Sequence, residues 1–187
     1  MRIISDFGSE AVAGAIIAIR IMMFSMMPAW GMSNAVATLV GQNLGAQKPD
    51  RAERSVWITR IWNMAFLVIV AVVYFFHSET LVGIFTDDAG VIEIGGMWLK
   101  IVSYSYFVYA WWMVATQAFN GAGDTMTPTK INLVFFWLIQ IPLSYFMSKI
   151  LWVDVSGVFW AIFISETSVG LFTLWLFKKG KWKKFQV

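Results

Sequence analysis

Long apolar runs separated by short polar breaks limit what this chain can fold into more than any other feature of it. Residues 57–76 carry a single charge, Arg60, and about 20 such residues in a helix cross a ~30 Å hydrocarbon core. Comparable runs recur along the chain. The reading is an all-α polytopic membrane protein with five transmembrane helices, at about 10–40, 57–76, 91–119, 131–151 and 155–177. They form a single membrane domain over 1–187, ending in a basic tail, 178–187. Composition agrees: 13% of residues are charged and 59% hydrophobic, against about a quarter charged in soluble domains.

The breaks carry local signals. Pro28 and Gly31 interrupt the first run, and a bend is expected near Met27-Pro28 because proline removes a helix bond and crowds the preceding turn. The polar segment 41–56 contains Gly41, Gln42, Gly45 and Pro49. The glycines are expected to end the first helix, and Pro49 to open the second with Asp50 and Glu53 near its positive end. Residues 77–90 hold no Lys or Arg, and Asp87 or Asp88 suits the cap of the third helix. Gly121, Gly123, Asp124 and Pro128 make a turn before the fourth.

Cations fix the expected sides. Lys48, Arg51, Arg54, Lys130 and the five lysines of the tail fall at one end, while only Arg2 and Lys149 fall at the other. Excess Lys and Arg mark the cytoplasmic face. The N-terminus is therefore expected outside and the C-terminus in the cytoplasm, at the plasma membrane. The tail is read as an anchor on anionic lipid.

The same inventory excludes function classes. With no cysteine and a single histidine, His77, disulfides, thiolate sites and a histidine metal or catalytic centre fall away. No nucleophile–base set or phosphate loop appears, so the chain is not read as an enzyme and needs no cofactor. Its cations sit in loops and tail, which is no nucleic-acid footprint. The start of the chain does not read as a cleavable signal.

Three segments carry a resemblance: 27–46 continuing through Pro49 to Val56, residues 84–88, and 119–125 followed by Thr127-Pro128-Thr129. Together, and in this order, the chain resembles the multidrug and toxic compound extrusion (MATE) transporters from about Phe7 onward. The resemblance implies twelve helices in two six-helix lobes, of which this chain would supply the eighth to the twelfth. It implies partners in a lipid bilayer, in organic cations as substrates, and in a first lobe and preceding helix lying outside this sequence. An odd helix count beginning outside likewise fits a truncated chain. The implied activity is sodium- or proton-coupled export of organic cations by alternating access. Where one branch of the family has an acid on the tenth helix, this sequence has Tyr109. A lipid-linked oligosaccharide flippase of the same superfamily, or a non-transporting membrane fragment or assembly subunit, are the alternatives.

Ionisable groups at membrane depth are rare and usually face a cavity or a partner. Glu166 and Arg20 are the candidates, and they could pair. Asn34, Tyr106, Tyr109, Met113, Gln117 and Gln140 are the further candidates for a substrate cavity, the aromatics by cation–π contact. Asn34, Gln117 and Gln140 could equally be interhelical hydrogen-bonding groups. Lys100 is expected to snorkel.

Overall fold

The computed structural model describes residues 2–151 and 154–184, apart from the side chain of Lys184. Residues 185–187 of the expected tail lie outside them. After a short turn, α1 (Arg2–Ser5), the chain forms α2 (Ser9–Gly45), α3 (Pro49–Gly83), α4 (Ala89–Ser103) and α5 (Tyr106–Gly121). A composite helix follows: α6 (Met126–Asn132), a π-helical stretch (Leu133–Gln140), α7 (Ile141–Phe146) and a second π stretch (Met147–Leu151). The chain ends in α8 (Ser156–Lys178) and a 3₁₀ turn (Lys181–Lys184). No strand occurs among the described residues.

Four of these, α2, α3, α8 and the composite 126–151, are long and apolar enough to cross a membrane. The chain is a polytopic helical membrane protein. The span expected as one helix over 91–119 is instead broken at Tyr104 and Ser105 into α4 and α5, of 15 and 16 residues. Ser105 and Ser103 bond back to the carbonyls of Val102 and Lys100, at 2.8 and 2.7 Å, and such serine bonding competes with helix continuation.

Other expectations shift in detail. α2 runs unbroken through Pro28. α3 kinks at His77, whose φ is −126°, so the first part of the expected loop is helix. Gly41 is not a cap. It lies inside α2, where an added Cβ would sit 3.2 Å from the carbonyl of Gly121, while one on Gly121 would sit 2.7 Å from the Cα of Ala37. These glycines bring α2 and α5 together backbone to backbone, the usual use of small residues between membrane helices. α2 ends at Gly45, with the amide of Ala46 on the carbonyl of Gln42 at 3.1 Å. Pro49 opens α3 and Asp88 caps α4 through the amides of Gly90 and Val91. Gly123 takes a left-handed φ of 82°, and Asp124 accepts the amide of Thr127 at 3.0 Å. Pro128 is buried in the first turns of α6. The π stretches follow no sequence period; the first ends just ahead of Pro142, which has no amide to donate.

α2, α3, α4 and α5 form the main bundle, and α8 packs along α5 between it and the composite helix. The basic turns gather at one end. There Trp57 stacks on Trp111 at 5.2 Å and Phe177 on Trp182 at 4.9 Å, and Lys183 pairs with Glu53. The tail expected to rest on lipid thus contributes Trp182, 1% exposed, to the core. At the opposite end Lys149 pairs with Asp6 at 3.0 Å. Lys100, expected to snorkel, is exposed with its ammonium 5.4 Å from the Phe75 ring.

Candidate functional site

Between α2 and α5 lies a cavity of about 260 Å³. α2 contributes Trp30, Ser33 and Asn34; α5 contributes Tyr109, Trp112, Met113, Thr116 and Gln117. Spacings of three and four residues on each helix place these side chains on one face. The wall is aromatic with neutral polar groups and carries no fixed charge. Tyr109 and Trp112 lie 5.2 Å apart, ring to ring, and the amide of Asn120 holds Gln117 at 3.2 Å. Behind the cavity Asn63, fully buried on α3, donates to Ser33 at 3.2 Å and to the carbonyl of Ala110 at 3.3 Å. One side chain therefore ties α2, α3 and α5 together at the depth of the cavity.

Four of the expected cavity residues, Asn34, Tyr109, Met113 and Gln117, meet here. Three do not. Tyr106, adjacent in chain to the break, is fully buried against Tyr74, with ring centroids 5.5 Å apart. Gln140 lines a separate space of about 190 Å³ with Trp98 and Ser144. Glu166 is buried on α8, 9% exposed, and its Oε2 has no hydrogen-bond partner. Its level follows from its neighbours. Phe159 stacks on Trp98, Phe163 meets Tyr104, and an added Cβ on Gly170 would lie 3.1 Å from the Val108 carbonyl. These pairs advance together along both helices. Gly170, one turn on from Glu166, faces Val108 of α5, and Glu166 lies within electrostatic reach of Tyr109 on that helix, although it does not line the cavity itself. Ser165 beside it donates to the Phe135 carbonyl in the π stretch at 3.1 Å, not to Glu166.

Arg20 does not pair with Glu166. It is exposed on the far side, toward α3, and the ion pairs among the described residues are Lys149–Asp6 and Lys183–Glu53. Sequence reasoning passed over Asn63, and over Trp30, Ser33, Trp112 and Thr116 of the cavity wall. Asn63 had a signal, an amide in the middle of an apolar run. Trp30 and Thr116 gained theirs only from the pairing of α2 with α5.

The MatE family model matches residues 1–146. The chain belongs to the MatE family. This MatE chain is 30% identical over 177 residues to a "Probable multidrug resistance protein NorM" of Thermotoga maritima, covering 95% of the chain and 38% of the relative. It is 23% identical to a "Probable multidrug resistance protein YoeA" of Bacillus subtilis, over 98% of the chain and 40% of the relative. Its fold matches the Vibrio cholerae MATE transporter VcmN in the bent form, with a TM-score of 0.87, 19% identity, and coverage of 95% and 40%. It also matches a MOP superfamily transporter from Pyrococcus furiosus, with a TM-score of 0.87, 18% identity, and coverage of 99% and 40%. The chain therefore spans about 40% of the length of the proteins it matches. The family's named members are transporters, not enzymes.

Proposed function

We propose that this MatE chain is the C-terminal portion of a transporter that exports organic cations by alternating access. The observation that carries this reading is the wall of Trp30, Tyr109 and Trp112 beside Asn34 and Gln117. Flat cations gain about 0.5–2 kcal/mol from each well-placed aromatic face, while the amides orient polar substituents. A fixed cation there would repel such a substrate, and the cavity has none. The flippase alternative asks for a strongly cationic cavity; Arg20 and Lys100 both lie away from this one.

Coupling to sodium or protons is the natural partner of this cycle, and Glu166, the buried acid within electrostatic reach of Tyr109 in the cavity wall, is the group in this chain suited to it. Discontinuous helices near a binding site are a recurring feature of secondary transporters. The basic end, with Lys48, Arg51, Arg54 and the tail, is placed in the cytoplasm by the positive-inside rule. The remaining helices of the full-length relatives would supply the facing lobe.

Binding of ethidium, a flat fluorescent cation, to the purified chain tests the wall. Tyr109→Ala and Trp112→Ala are each expected to weaken binding about fivefold or more, with tryptophan near-UV circular dichroism otherwise preserved. Unchanged affinity in both variants would remove the cavity from the reading. Glu166→Gln is expected to leave ethidium binding to this wall in place while abolishing its dependence on sodium or pH.

A further inference from the structure

Arg20 leaves a question that the transport reading does not answer. α2 is 37 residues long, about 55 Å at 1.5 Å per residue, so it exceeds a ~30 Å hydrocarbon core by about 25 Å. With that excess shared between its ends, Arg20 lies within about a turn of the hydrocarbon boundary. A cationic side chain at this depth needs an anion or water. Among the described residues no acid pairs with it. Glu10 lies against Gly90, Glu79 against Gly96, Asp88 caps α4, and Asp6 holds Lys149.

What Arg20 does face is a groove of about 660 Å³ between α2, α3 and the turn after α3, within the range of ligand sites. Phe24 and Ile69 line its deep part and Ile84 and Phe85 its mouth, and these four are 59–78% exposed. The polar groups of its wall are already engaged: Ser25 and Tyr74 share a hydrogen bond, and Tyr74 also donates to the Ile21 carbonyl at 3.2 Å. Among the described residues the groove thus offers one cation without an ion-pair partner, above an apolar trough that runs deeper along α2 and α3.

We propose that this groove is a binding site for an anionic phospholipid, with its phosphate on Arg20 and an acyl chain along Phe24 and Ile69. A guanidinium takes phosphate oxygens two at a time, and the trough replaces neighbouring lipid along the chain. An anionic lipid is favoured over a zwitterionic one because its phosphate has no ammonium of its own to compete with Arg20.

The test is native mass spectrometry of the chain released from nanodiscs of phosphatidylglycerol and phosphatidylcholine in equal amounts. The wild type should retain one phosphatidylglycerol, enriched about fivefold over phosphatidylcholine, the effect of roughly one basic residue at an anionic surface. Arg20→Gln should lose that enrichment, although the tail lysines remain. Val73→Trp, which fills the trough and keeps the charge, should lose the bound lipid too. It decides the matter if Arg20→Gln fails to fold. Equal enrichment in the wild type and both variants would overturn the proposal by assigning the lipid to the tail or to the annulus. The chain has no cysteine, so Phe24→Cys adds a single thiol. Efficient disulfide dimers of that variant in the same nanodiscs would also overturn it, in favour of a second copy seated on the groove.

Discussion

Asn63 shows how much one polar side chain can organise in an apolar bundle. Its amide bridges Ser33 and Ala110, while its Oδ1 has no partner among the described residues. Interhelical hydrogen bonds in membranes average about 0.6 kcal/mol each, and truncating a buried side chain adds a cavity penalty. Asn63→Ala is therefore expected to lower stability by about 1–2 kcal/mol, read as an earlier tryptophan-fluorescence transition on heating in detergent. Asn63→Leu should cost less, because it fills the volume and removes the unsatisfied oxygen. A larger loss for leucine than for alanine would mean that the site does not accept the branched side chain, against the expectation that filling the volume offsets the lost bonds.

At the scale of elements, the junction of α3, α5, α8 and the terminal 3₁₀ turn is closed by aromatic packing, with one ion pair at its rim. Phe177 is edge-on to both Trp57 and Trp111 and stacked on Trp182, whose indole donates to the Phe177 carbonyl at 3.2 Å. Arg60 lies over Trp57 and Trp111, 4.8 and 4.9 Å from their centroids. Removing a buried indole costs about 3 kcal/mol or more, whereas a partly exposed ion pair contributes at most about 1 kcal/mol and is screened by salt. Trp182→Ala should destabilise the protein several times more than Lys183→Ala. The lysine effect should fade at ~1 M salt while the tryptophan effect persists. Thermal unfolding of the two variants at low and high salt separates these contributions.

For the whole molecule, the chain's coverage of about 40% of its relatives matters most. A cavity walled on one side by α2 and α5 cannot by itself alternate between two membrane faces. The chain alone, in vesicles with an imposed sodium or proton gradient, is expected to accumulate no fluorescent cation; robust gradient-dependent uptake would overturn its reading as one portion of a transporter. The sequence by itself determined the helical membrane class and the segregation of basic turns, because hydrophobic length and loop charge are properties of the chain that partition into lipid and water without reference to neighbours. It also determined local caps such as Asp88 and Asp124, whose partners lie within three residues. It did not determine the break at Tyr104 and Ser105, the π stretch before Pro142, or the role of Gly41, since each depends on what a helix packs against. Nor could spacing say that Arg20 and Glu166 face different neighbours, or that Tyr106 is core while Tyr109 lines a cavity. Those assignments follow from the rotation of each helix about its own axis, which tertiary contacts such as Gly121 on Ala37 and Gly170 on Val108 fix.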